Sequence, residues 1–138
     1  MTIRIVSITL LLLAQLPLSA RAATCAGANP AVTSVVVANV VRSGNVNQYH
    51  LKGTVTNLGG SGQASNTLQF VDIFEGASNE RLNDRGIPPL APGQTYQFGY
   101  VWNRALDAGQ NTTTLEFRMR MVQGTNCNPG NATYKLTF

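Results

Sequence analysis

The chain has 138 residues, with ten Lys and Arg against six Asp and Glu, one histidine and two cysteines. That length suits one domain with its own core, and the formal charge of +4 comes without a lysine–arginine run, which excludes the electrostatic footprint of a nucleic-acid binder. One histidine and two cysteines also fall short of a zinc ligand set.

Residues 1–22 read as a secretory leader. "MTIR" is a short basic start, "IVSITLLLLAQLPLS" an apolar stretch, and "ARA" puts Ala20 and Ala22 where a signal peptidase reads small residues. The apolar run is too short and wrongly flanked for a membrane span, and no second run of spanning length follows. Cleavage after Ala22 removes Arg4 and Arg21, so the domain at 23–138 is less basic than the whole chain.

Short alternating runs separated by Gly, Asn and Pro then predict an all-β fold. "VTSVVVANVVR" (Val32 to Arg42) is a valine-rich first strand with apolar residues on both faces, so its buried side stays unassigned. "SGNVNQ" is a turn. "YHLKGTVTNLG" (Tyr49 to Gly59) alternates Tyr49, Leu51, Gly53 and Val55 against His50, Lys52, Thr54 and Thr56. "GGSGQASN" is a flexible loop. "TLQFVDIFEG" (Thr67 to Gly76), apolar on both sides for part of its length, is expected in the middle of a sheet.

The polar stretch around Arg81 is a loop or a short edge strand. "LAPGQ" forms a corner, with Pro92 presetting φ and Gly93 tolerating positive φ. It feeds "TYQFGYVWN", expected as a central strand whose Tyr96, Phe98, Tyr100 and Trp102 fill the core. "TTLEFRMRMVQ" (Thr113 to Gln123) sorts Leu115, Phe117, Met119 and Met121 from Glu116, Arg118 and Arg120, and "ATYKLTF" (Ala132 to Phe138) closes the chain. The sum is an all-β sandwich of about seven strands.

An exported chain meets oxidising conditions, where Cys25 and Cys127 are expected to pair. The alternative is acylation of Cys25, but Thr24 and Ala22 occupy places where a lipobox prefers a small residue and leucine. His50 has Ser43 or Ser61 and Asp72 as nominal triad partners, yet no G-x-S-x-G elbow accompanies them, so a small hydrolase is the last of the readings. Asp72 inside an apolar strand is paired with an arginine or sits on an outer face. Glu116, Arg118 and Arg120 form either a solvated strand face or a small anion-binding patch, and Arg118 and Arg120 are the candidate ligand surface.

Two segments, "GTVTNLGGSGQASNTLQFVDIFEG" and "IPPLAPGQTYQFGYVW", resemble the CARDB domains, the cell-adhesion-related, immunoglobulin-like modules of exported bacterial and archaeal proteins. The resemblance is carried by Val55, Asn57 and Gly59, by Gly76, and by Leu90, Gly93 and Trp102. It implies an immunoglobulin-like β-sandwich; no catalytic, cofactor or metal residues are expected, and "GTNCNPGNATYKLTF" departs from the family in keeping asparagines but no acids. The expected role is a binding or adhesion-type module, secreted or periplasmic, with a protein or glycan partner in the cell envelope. The alternative is an accessory subunit of a surface or secretion assembly, working by strand addition. In a bacterial chain, which the resemblance implies, the Asn111 and Asn131 sequons are coincidental. "YKLTF" resembles the end of an outer-membrane barrel, but the runs are too few and too short for one.

Overall fold

The computed structural model describes residues 25–107 and 111–138; the expected leader, with its cleavage after Ala22, lies outside the described residues. Seven strands follow in order: β1 (Pro30–Ser43), β2 (Val46–Asn57), β3 (Leu68–Glu75), β4 (Glu80–Ile87), β5 (Thr95–Ala105), β6 (Thr114–Gln123) and β7 (Thr133–Thr137). They form two antiparallel sheets, one ordered β1-β2-β5 and one ordered β4-β3-β6-β7. The core lies between them. Val32, Val35, Leu51, Val55, Phe98 and Trp102 of the first sheet meet Val71, Ile73, Ile87, Leu115 and Phe117 of the second.

The two faces of β1 become assignable because its alternation is broken twice. Register shifts fall between Val32 and Ser34 and between Val37 and Asn39. Each inserts one residue and reverses the phase. Val32, Val35, Val37 and Val40 thus oppose the inward Val55, Gly53, Leu51 and Tyr49, while Val36 and Val41 face out. A strict period of two cannot register this, which is why the sequence reads as apolar on both faces.

The turn after β1 is tighter than expected. Only Gly44 and Asn45 stand outside the strands, with Gly44 at φ 58°, and Val46–Gln48 already belong to β2. The polar stretch around Arg81 is a full edge strand, β4, and β3 is central between β4 and β6. One expectation is corrected: β5 is not central. It pairs with β2 alone and ends its sheet. The aromatic alternation reports which face is inward, not how many neighbours the strand has. Phe98 and Trp102 are buried, but Tyr96 near the strand's start is exposed. The Phe98 ring lies on Gly53, directly opposite in register, and a Cβ at residue 53 would run into that ring.

Asn57 ties one end of the sandwich together. It is fully buried. Its Oδ1 accepts from the backbone N–H of Asn29 (2.9 Å) and of Gly59 (3.0 Å), and its Nδ2 donates to the carbonyls of Ser61 (2.9 Å) and Leu90 (3.0 Å). A buried amide needs its full complement of partners, and here those partners come from three different segments: the one before β1, the loop after β2 and the corner before β5. Gly93, at φ 73°, donates its N–H to the Asn57 carbonyl at 2.8 Å, so the proline–glycine corner is fastened to the same residue. At Gly59 a Cβ would overlap the Gly27 carbonyl.

The loop after β2, expected to be flexible, is anchored by this knot and by a second one. Gln63 and Gln69 exchange side-chain hydrogen bonds at 2.8 Å each, and Gln63 Oε1 also accepts from Leu90 N–H at 2.9 Å. Cys25 and Cys127 form a disulfide, 102 residues apart in sequence with Cα atoms 6.0 Å apart, as expected. It joins the segment before β1 to the loop before β7. There Cys127 N–H also donates to the Ala28 carbonyl (2.9 Å).

Candidate binding surfaces

The outer face of the four-stranded sheet carries most of the organised charge. Alternation about the buried Val71 and Ile73 turns Phe70, Asp72 and Phe74 outward. The register places Phe70 opposite Arg120, Asp72 opposite Arg118, and Phe74 opposite Glu116. Arg120 makes a two-pronged contact with Asp72, Nε to Oδ2 at 2.7 Å and Nη2 to Oδ1 at 3.0 Å. Its guanidinium also lies over the Phe70 ring at 4.7 Å, and that of Arg118 over Phe74 at 4.1 Å. Arg118 in turn donates to Glu116 Oε2 from Nε (2.9 Å) and Nη2 (2.7 Å), and to Asn79 Oδ1 (3.0 Å).

Such stacking and forked pairing fix two normally mobile side chains. Their Asp72 anchor is itself buried, with Arg81 adding a looser contact at 3.8 Å. The hydrogen bond to Asp72 pushes the Arg120 guanidinium up from its ordinary value. Glu116 is held below the usual carboxylate range, first by the hydrogen bonds from Arg118, with Lys135 assisting and burial opposing. Arg118 and Arg120 keep 34% and 37% of their side-chain surface exposed, so the pair still presents a face to solvent.

The nominal triad is not assembled. His50, opposite Val101 and Asn39, belongs to the outer face of the three-stranded sheet. Asp72 lies on the outer face of the other sheet, across the core. Ser61 Oγ donates to the Ala26 carbonyl at 2.7 Å, and Ser43 ends β1. Two shallow depressions occur at opposite ends. One is lined by Asn45, Val46, Ala105, Leu106 and Asp107. The other lies beside the disulfide, along Gly27, Ser61, Gln63, Thr67 and Thr125. Neither brings a base to a nucleophile.

The sequence reading missed Phe70, Phe74 and Arg81 as parts of the charged face. The signal was present: "FVDIF" alternates as regularly as "EFRMR", and laying one against the other pairs aromatic with arginine and acid with arginine. What the sequence lacked was the knowledge that these two strands are neighbours.

No protein-family model matches the chain, and no curated protein matches it in sequence. Among solved structures it is similar to the CARDB domain of a Pyrococcus furiosus protein, crystallised in complex with di-metal ions. The two share 13% identity at a TM-score of 0.58, over 85% of this chain and 91% of that one. The fold is therefore that of a CARDB domain: an all-β, immunoglobulin-like sandwich of three and four antiparallel strands.

Proposed function

We propose that the chain is an exported, non-catalytic binding or adhesion-type module of the bacterial cell envelope, acting in the periplasm or outside the cell. The observation that carries this reading is the CARDB fold closed by the Cys25–Cys127 bridge. A disulfide persists in an oxidising compartment, which agrees with the leader read at residues 1–22. Among the described residues no helix is long and apolar enough to cross a membrane. The scattering of His50, Asp72 and the serines over separate surfaces supports binding over hydrolysis. The partner is an envelope protein or glycan, and Arg118 and Arg120 with Phe70 and Phe74 are the candidate ligand surface.

The related fold was crystallised with di-metal ions, but the residues here do not fit such a centre. No three His, Cys, Asp or Glu side chains converge among the described residues. Asp72 and Asp84, directly opposite in register, share Arg81 and Arg120 between them.

A second reading, an accessory subunit that accepts a strand from its partner, is favoured by the exposed Asn39–Ser43 stretch at the edge of β1. The test is capture from native envelope extracts with the purified domain as bait. One reproducible partner, lost on unfolding the bait, is expected. A hydrolase screen showing turnover that His50→Ala abolishes while the fold survives would overturn the binding reading.

A further inference from the structure

The four edges of the two sheets are not equally protected. A sheet edge presents free N–H and C=O groups, and natural edges are blunted by charge, short length or cover. β4 carries Glu80, Arg81, Asp84 and Arg85. Arg85 also covers the edge of β5: its Nε donates to the Gly99 carbonyl at 2.8 Å, and its guanidinium stands 5.7 Å from the centre of the Tyr100 ring. β7 is five residues long and includes Lys135.

β1 differs from all three. From Val36 to Ser43 every residue is exposed, only Arg42 is charged, and Val36, Val37, Val40 and Val41 are 41–50% exposed. The bulge between Val37 and Asn39 interrupts part of this edge, but Asn39–Ser43 pairs without a break to Val46–His50. That leaves a regular five-residue run, flanked by valine on both faces, with its outer side facing solvent.

Charge selects the occupant. The strands of this sheet hold Arg42, Lys52, Arg104 and His50 and no acid, whereas Asp72, Glu75, Glu80, Asp84 and Glu116 all lie in the other sheet. A second copy fits poorly. Two-fold pairing confined to Asn39–Ser43 would set the two Arg42 side chains within about 8 Å of each other, and a longer pairing would run the Val37/Asn39 bulge into the new ladder. We infer that the Asn39–Ser43 edge of β1 accepts, as an added strand, an extended segment of another protein that alternates apolar residues and carries an acidic residue at the register of Arg42. Backbone hydrogen bonds supply the affinity, and Val40 and Val41 receive side chains on either face. This deepens the strand-addition reading above and rests on it.

The probe is a fluorescein-labelled eight-residue peptide of alternating Val and Thr with one central Glu, beside the same peptide with Lys or Pro at that place. Anisotropy should rise for the Glu peptide only, with hydrogen-exchange protection appearing at Asn39–Ser43. Val41→Asp should weaken binding about tenfold, and Arg42→Glu should reverse the preference between Glu and Lys peptides by about fivefold, both with an unchanged melting temperature. Equal binding of Glu and Lys peptides, absence of binding, protection at another edge, or concentration-dependent dimers protected at Asn39–Ser43 without peptide would each overturn the inference. Envelope capture with the same two variants separates the levels. A partner captured undiminished by Val41→Asp and Arg42→Glu leaves the binding role standing and removes the edge; no partner even for the unaltered domain removes the role itself.

Discussion

The Asn57 side chain meets four backbone polar groups inside the protein. Replacing it with alanine orphans the Asn29 and Gly59 N–H groups inside the protein, whereas the Leu90 carbonyl still accepts from the Gln63 N–H. Each buried orphan costs about 1–3 kcal/mol, so Asn57→Ala is expected to destabilise by about 3–5 kcal/mol in urea titration. A loss under 1 kcal/mol would show that water replaces the amide. Gly53→Ala should cost about 1–3 kcal/mol by displacing the Phe98 ring, seen as a lower melting temperature with β-type circular dichroism retained.

Glu116 gives the pH dependence a sign. Its folded value is depressed by Arg118 and Lys135, so the carboxylate's contribution is present above the ordinary glutamate range and is lost as pH falls through the depressed value. Melting temperature should therefore decline as pH falls below the ordinary glutamate value of about 4, and Glu116→Gln should flatten part of that decline. An identical acid limb in the variant would remove Glu116 from the account.

At the level of elements, the strands were legible where the pattern is local. β2, β6 and β7 show their inward residues by simple alternation, and the motif that carries the resemblance reads as structure: Val55 is core, Asn57 and Gly59 are the knot, and Leu90 and Gly93 form the corner fastened to it. Pairing was not legible. Nothing within "TYQFGYVWN" distinguishes an edge from a centre, because the protection of β5 comes from Arg85 on a strand of the opposite sheet. The faces of β1 were hidden by its bulges, which depend on the partner's register. The candidate site was half legible for the same reason. Arg118 and Arg120 stood out on their own strand, but Phe70, Asp72 and Phe74 become their partners only through β3–β6 pairing. Asp72→Ala should accordingly destabilise by about 1–2 kcal/mol, since Arg120 loses its forked partner and keeps the solvent and the longer contact with Asp84. Thermal melts of Asp72→Ala, Arg120→Ala and the double variant measure the coupling, and additive losses would contradict it.

Across the whole molecule, the bridge between Cys25 and Cys127 ties the segment before β1 to the loop before β7. In the chain-entropy picture a loop of this length contributes about 3–5 kcal/mol. Apart from Leu90 of the corner, the buried core residues lie in the strands. Reduction should therefore lower the melting temperature while β-type circular dichroism persists at room temperature.

Export and closure together are the centre of the functional account. They meet in one measurement: the intact mass of the protein recovered from the native envelope under non-reducing conditions. The predicted species begins at Ala23, carries no lipid, and is two hydrogens lighter than the reduced chain, with no titratable thiol. A mass that retains residues 1–22, a diacylglycerol adduct on Cys25, or two free thiols in the native protein would contradict it.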